Sequence, residues 1–345
     1  MSAVRGWIWV RFAIPAMSFL FALGLCSVTL VCQSTYAQEG SVKIDPALPN
    51  YKPTSGVSGT VKTVGSDTMN NLVTMWTEEF KKRYPGVRIG VDGKGSSNAI
   101  PALVAGTATF GPMSRDAKAS EIAEFQKKYG YKPVLLPTSI DMLAVYVNRK
   151  SPIESLTFAE ADAIFSSTRK MGGKEQIKTW SQVGATGESA AQGITCYGRG
   201  AASGTYGYFK EKVMGDGDYG TWVSELPGSS AVVQAVGKNP LGIGYSGIGY
   251  RTADVRPLAL SSKPGGDAVP AEAARAYSGE YPLSRFLYIA VNHDPRKSLD
   301  PLRAEFLRFI YSQQGQTQVA KDGYLPLTAP MARKALTSVG LEPGF

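Results

Sequence analysis

The sequence predicts an α/β protein with mostly parallel sheets. Three observations carry this reading. From Gly59 onward, short β-branched runs alternate with apolar stripes at helical spacing. Met142 to Val147 is apolar without a break, as expected of a strand buried on both faces. Several strand-to-helix joins carry glycine beside serine or threonine, the chemistry of a tight turn that opens a helix.

Taken in order, Gly59 to Val64 reads as the first strand. Met69, Leu72, Val73, Trp76 and Phe80 then form one helical face within 68–84, and Pro85-Gly86 stops that helix. Val87 to Val91 is a strand, followed by the turn Gly93-Lys94-Gly95-Ser96-Ser97 and a helix over Ala99 to Ala105. Thr109 to Met113 and Pro133 to Pro137 are strands flanking a helix over Ala119 to Tyr129. Beyond Met142 to Val147, Phe158 to Phe165 is a helix and Ile194 to Tyr197 a strand. Ser203 opens a helix reaching Val213, Ala231 to Val236 is helical, and Ile243 to Tyr245 is a strand. Residues 261–280, rich in Gly, Pro and Ala, read as a surface excursion before a strand over Leu287 to Val291 and an amphipathic helix over Pro301 to Tyr311.

The first 37 residues read as a signal peptide. Arg5 and Arg11 give a positive start, Phe12 to Cys32 is almost wholly apolar, and Thr35-Tyr36-Ala37 is a small-x-small site for cleavage after Ala37. The alternative is a membrane anchor, since the apolar run approaches spanning length. Cleavage removes two basic and no acidic residues, taking the net charge from +9 to +7, and leaves Cys196 as the one cysteine. No internal disulfide is then available, and Cys196 reads as a small buried hydrophobe. Residues 38–58, polar and rich in Pro and Gly, read as an N-terminal extension or linker.

Composition excludes several functions. One histidine, His293, rules out sites needing two, including the common catalytic zinc sites, and its turn context predicts exposure. Lys and Arg are dispersed with no basic block among aromatics, which argues against nucleic acid and for mild attraction of small anions. The Walker A spacing is absent. Gly93-Lys94-Gly95 and Gly242-Ile243-Gly244 do not extend to a dinucleotide fingerprint and read as sites of close backbone approach.

What remains is three strand-to-helix turns: Gly65-Ser66-Asp67-Thr68, Gly95-Ser96-Ser97-Asn98 and Ser203-Gly204-Thr205. Each sets hydroxyls and free N–H groups at a helix N-terminus, where the helix dipole adds positive potential. Converging, they would form an anion site with few full charges. Singly, each is only a good N-cap, and Asp67 reads as one. Arg199, four residues before Ser203, adds a planar donor suited to a tetrahedral oxyanion.

The order of these segments resembles the substrate-binding proteins of bacterial phosphate ABC transporters, a PstS-like family of type II periplasmic binding proteins. Tyr197-Gly198-Arg199-Gly200-Ala201-Ala202-Ser203-Gly204-Thr205 is similar to the family's R-x-x-x-S-G-T phosphate loop. Gly65-Ser66-Asp67-Thr68-Met69, Gly95-Ser96-Ser97 and Phe110-Gly111-Pro112-Met113-Ser114-Arg115 resemble its other phosphate loops, and Ile140-Asp141-Met142-Leu143-Ala144-Val145 its crossover. The resemblance implies two lobes, 59–139 with 281–345 and 140–280, with the ligand in the cleft between them. It assigns phosphate contacts to Thr68, Met69 through its backbone N–H, Ser96, Arg199, Ser203, Gly204 and Thr205.

Two positions depart from the family pattern. The slot of the aspartate that accepts the proton of hydrogen phosphate holds Ser114, and the aspartate two residues after the loop arginine is Ala201. Asp141 is the nearest candidate for a replacement acceptor; its other reading is a structural role at the crossover. The resemblance implies a periplasmic, monomeric receptor that captures inorganic phosphate and delivers it to an ABC-transporter permease, with no cofactor, no metal and no catalysis. The alternatives are a sulfate or molybdate receptor and a secreted phosphatase.

Overall fold

The computed structural model describes residues 42–342 apart from Ser189. The signal peptide, its cleavage after Ala37 and the start of the extension lie outside the described residues. The elements run β1 (Thr60–Val64), α1 (Asn70–Lys81), β2 (Arg88–Asp92), α2 (Ala99–Ala105), β3 (Phe110–Met113), α3 (Ala119–Tyr129), β4 (Val134–Asn148), β5 (Ser155–Thr157) and α4 (Phe158–Phe165). They continue β6 (Thr195–Arg199), α5 (Gly204–Met214), β7 (Val223–Leu226), α6 (Ser229–Lys238), β8 (Gly242–Gly247), β9 (Val255–Pro257) and β10 (Ala259–Ser261). The last are α7 (Ala273–Tyr277), β11 (Ser284–Val291), α8 (Pro301–Ile310), α9 (Gln313–Lys321) and α10 (Ala329–Thr337).

Local chemistry explains the boundaries. In α1 the stripe Leu72, Val73, Trp76 and Phe80 is buried. Thr157 and Glu160 form a capping box that starts α4, each satisfying an N–H the helix leaves open. Asp300 caps α8, with Pro301 in the first turn where its missing N–H is harmless. Gly130 ends α3 at φ 80°, a left-handed conformation that glycine adopts without steric penalty.

The main sheet follows the order β2-β1-β3-β11-β4-β8-β6-β7, with β9 also paired to β4. It is mixed, which corrects the expectation of mostly parallel sheets. Parallel pairs lie toward the two ends, β1 with β2 and β3, and β6 with β7 and β8. The middle is antiparallel, because β11 returns against β3 and β4, and β4 runs against β8 and β9.

β4 also corrects the sequence reading, which split it at Pro137. Val134 to Met142 pairs with β11 and Leu143 to Val147 with β8, so one strand serves both halves of the sheet. Pro137 is accommodated by a register shift between Leu287 and Tyr288, and the Thr138 hydroxyl donates to the Leu287 carbonyl at 3.0 Å. β1 to β3 and β11 pack against α1 and α8, where Phe80 meets Phe306 edge-on at 5.2 Å. In the other half, Phe209 and Tyr245 stack at 4.1 Å beneath the end of β6.

Two expectations about exposure change. The excursion at 261–280 is exposed without a break over 262–268; beyond it α7 forms, and buried Ala271 and Ala276 anchor the segment. His293 is buried at 8% exposure, because its turn folds back on α8 and Arg303 donates to the Asn292 carbonyl. Burial and Arg303 together hold its pKa below the ordinary value. Cys196 is buried as expected, and burial pushes its thiol up to about 12.

Residues 45–54, expected as extension or linker, form a strap across α8, α9 and α10. Leu48 is buried, the Gln313 N–H donates to the Pro49 carbonyl at 2.9 Å, and Asp45 accepts from the Ala329 N–H at the start of α10. Tyr51 packs edge-on against Phe309, and its hydroxyl bonds Tyr84 and Glu305. Tyr51→Ala should lower stability by about 3–5 kcal/mol through the cavity it leaves. Tyr51→Phe should cost about 1–3 kcal/mol by removing a donor from buried Glu305. Urea unfolding of the mature chain measures both.

Candidate functional site

The hydroxyl-rich turns sit beyond the carboxyl ends of β1, β2, β3 and β6, where α/β sheets place ligands. They do converge. The Thr68 hydroxyl bonds the Thr205 hydroxyl at 2.7 Å, joining the β1–α1 turn to the first turn of α5. Ser96 Oγ lies 3.2 Å from Ser114 Oγ and accepts from the Ser114 N–H at 3.0 Å. Thr68, Ser96, Ser114, Arg199, Ser203 and Thr205 are all buried.

Two glycines make this closeness possible. A Cβ on Gly204 would stand 2.3 Å from Ser96 Oγ and 2.5 Å from Ser114 Oγ. A Cβ on Gly95, which has φ +108°, would stand 2.4 Å from the Ala202 carbonyl oxygen. The Ser97 N–H donates to that same carbonyl at 3.2 Å. Ser203 caps α5, its hydroxyl accepting from the Tyr206 N–H, while the N–H groups of Gly204 and Thr205 have no partner within the helix. Met69 stands at the N-cap of α1, its N–H only 3.4 Å from Ser66 Oγ.

Arg199 is the full positive charge beside this cluster. One terminal nitrogen donates to Ser229 Oγ at 2.7 Å, and the other forms an ion pair with Asp67 Oδ2 at 3.0 Å. Its Nε is buried without a hydrogen-bond partner. Asp67 is not the helix cap the sequence suggested. Its carboxylate reaches away from α1 to Arg199 and to the Ser229 N–H at 2.9 Å.

Asp141 stands one residue behind the hydroxyls. It is wholly buried; Oδ2 accepts twice from Arg285, at 3.0 and 2.7 Å, and Oδ1 accepts from the Ile248 N–H at 3.1 Å. Arg285 then donates to the Ser114 carbonyl at 2.7 Å and to Thr205 Oγ1 at 2.9 Å. Because Thr205 Oγ1 accepts from Arg285, its own proton is free for Thr68 or for a ligand. Arg285 lay outside the expected strand. Its one signal was a lone cation in an apolar run, matched by Asp141 in another, and the two prove to be register partners. Arg115, beside Ser114, is held by Glu121 in a bidentate pair and donates to Ser97 Oγ of the second turn at 3.2 Å.

Behind the first turn, Tyr324 donates to the Thr68 carbonyl at 2.8 Å and Tyr250 to the carbonyls of Asp67 and Thr68. Asp322 is buried nearby, with Oδ1 against the Asn71 amide and Oδ2 unpartnered. Burial raises its carboxyl to about 7. Outside the cluster a cavity of about 300 Å³ opens between Asp67, Lys94, Arg199, Ser203 and Glu225. A larger one, about 620 Å³, lies under the strap near Tyr51 and Arg308, away from the hydroxyls.

Hydroxyls, helix N-termini and one arginine, drawn from both halves of the sheet, form a donor-rich cage whose chemistry suits a small oxyanion. The comparisons place this architecture in a class. Residues 50–314 match the PBP superfamily domain. The chain is 50% identical over 317 residues to the phosphate-binding protein PstS of Pseudomonas aeruginosa, covering 92% of this chain and 98% of that protein. It is 27% identical to SphX of Synechococcus elongatus, over 77% of each chain. In fold it matches an ABC-type phosphate transport receptor from Vibrio cholerae, with a TM-score of 0.60, 23% identity, and coverage of 77% of this chain and 100% of that one. It also matches a Clostridium perfringens protein solved with bound phosphate, with a TM-score of 0.65, 23% identity, and coverage of 78% and 100%. The chain belongs to the PBP superfamily and, within it, to the family of PstS phosphate-binding proteins.

Two predictions follow from the buried charges. Arg285→Met strands Asp141 in the interior with one donor and should cost about 3–5 kcal/mol in urea unfolding. For Asp322, the folded pKa of about 7 lies above the ordinary 3.8, so the folded state holds the extra proton. Its contribution to stability is therefore fully present below about pH 4 and is lost as pH rises through about 7. Asp322→Asn should be more stable than the parent above pH 7, by up to about 4 kcal/mol, with the gap closing toward pH 4.

Proposed function

We propose that this chain captures inorganic phosphate outside the cytoplasmic membrane and delivers it to the permease of an ABC transporter. The observation that carries the reading is the buried cage itself. An arginine with an unpartnered Nε and hydroxyls from both halves of the sheet meet at two helix N-termini. Thr68, Met69, Ser96, Ser114, Arg199, Ser203, Gly204 and Thr205 would line the ion, and Asp141 would act from behind through Arg285. The names of the relatives, phosphate-binding proteins and a phosphate transport receptor, support binding rather than catalysis.

In this reading residues 59–139 with 281–345 form one lobe and 140–280 the other. A ligand touching both favours the closed arrangement by its differential affinity for it. The protein acts as a periplasmic monomer after cleavage at Ala37. Neutral Ser114 can still accept the proton of hydrogen phosphate, which sulfate lacks; Asp141, whose oxygens are taken by Arg285 and the Ile248 N–H, would act on selectivity only through Arg285 and the hydroxyls it orients, not as the direct acceptor.

Calorimetric titration of phosphate into refolded, ligand-stripped mature protein should show tight one-to-one binding that sulfate does not compete. Arg199→Ala should weaken it by about 2–5 kcal/mol. Unchanged affinity in that variant would remove the cleft assignment. A chromogenic phosphate ester should yield no product with or without divalent metals; turnover would favour a phosphatase.

A further inference from the structure

We propose that Asp67 aligns Arg199 only when the cleft closes, and so acts as a positioning residue that slows the release of phosphate. The inference rests on reading the cleft as a phosphate site. The loop of Arg199 supplies no carboxylate of its own, since the position two residues on is Ala201. The partner comes instead from the opposite half of the sheet. Asp67 lies in the β1–α1 turn, whereas Arg199 ends β6 and Ser229 begins α6.

The contact is built closely. Asp67 Oδ2 meets the Arg199 terminal nitrogen at 3.0 Å and the Ser229 N–H at 2.9 Å. A Cβ on Gly228 would stand 3.1 Å from Asp67 Oδ1, so a residue with no side chain lets α6 seat against the carboxylate. Tyr250, also in the second half, grips the carbonyls of Asp67 and Thr68 at 3.1 and 3.2 Å. The arginine side chain is 2% exposed and the aspartate 24%, so the carboxylate closes the outer side of the arginine.

The consequence is kinetic. When the halves part, Asp67 leaves with the first, and Arg199 keeps only Ser229 Oγ from its own half. Its charge is then free to meet an incoming anion. When the halves close, Asp67 takes one terminal nitrogen and fixes the guanidinium plane, while Nε remains open. A carboxylate on the arginine's own loop would align it in both states. A contact made only after closure acts on dissociation, not on encounter.

Stopped-flow binding of inorganic phosphate to the mature protein tests this in the parent, Asp67→Asn and Asp67→Asn/Ala201→Asp. The single variant keeps the shape of the side chain and removes its charge. Its dissociation rate should rise about tenfold or more, with the association rate within about threefold of the parent. The double variant, with a carboxylate returned on the arginine's own loop, should not restore slow dissociation. An unchanged or slower release in Asp67→Asn would overturn the proposal, the latter by showing that repulsion between Asp67 and phosphate dominates. Full restoration by Ala201→Asp would also overturn it, because alignment alone would then suffice. Failure of the parent to bind phosphate would instead defeat the functional reading.

Discussion

Arg285 and Asp141 face each other across adjacent antiparallel strands, and both are buried. Removing two charges from water is expensive, and their attraction offsets that only when the remaining donors and acceptors are also met. Here they are. One terminal nitrogen of Arg285 donates to the Ser114 carbonyl at the end of β3, the other donates to Thr205 at the start of α5 as well as to Asp141, and the Ile248 N–H completes Asp141. One ion pair thereby fixes the register of β4 against β11, the end of β3 and the rotation of a hydroxyl in the opposite half. The order of the cage follows from satisfying this pair.

The cage itself uses almost no net charge. Its donors are hydroxyls and backbone N–H groups whose directions are set by the turns that carry them, with the charge of Arg199 beside them. Such donors select by shape and by proton placement. Ser96 illustrates this: its oxygen accepts from the Ser114 N–H and shares a hydrogen bond with the Ser114 hydroxyl in which either can donate, so the pair can turn a proton or a lone pair to a ligand. The side chains that control these directions, Arg285 behind Thr205 and Asp67 beside Arg199, stand just outside the cage.

Much of this was legible in the sequence where the signal was local. The turns at 65–68, 95–98 and 203–205 announce themselves by glycine and hydroxyls within a few residues, and α3 and α4 begin and end where periodicity and capping put them. What depended on distant partners was not legible. Arg285 and Asp141 are 144 residues apart, and only the strand register brings them together. Asp67 looked like a cap because its true partners lie in α6 and β6. α9 escaped because it buries polar groups: the Gln316 amide is inaccessible, donating to the Thr138 and Ile310 carbonyls, so apolar periodicity says nothing there. His293 looked exposed because nothing in its turn foretells that α8 folds over it.

The shared strand β4 has a mechanical consequence. The halves of the sheet are joined there by a hydrogen-bonded rod rather than a slack tether, bonded to β11 up to Met142 and to β8 from Leu143. Neighbouring strands tolerate a range of twist, so rotation of one half spreads as small dihedral changes along the rod. A rod of this kind would act as a torsion spring with a preferred angle if the halves rotate as proposed. Any return from such a rotation would deliver the facing turns to the same register, at the high effective concentration of an intramolecular encounter. Thr68 and Thr205 need no search to find one another.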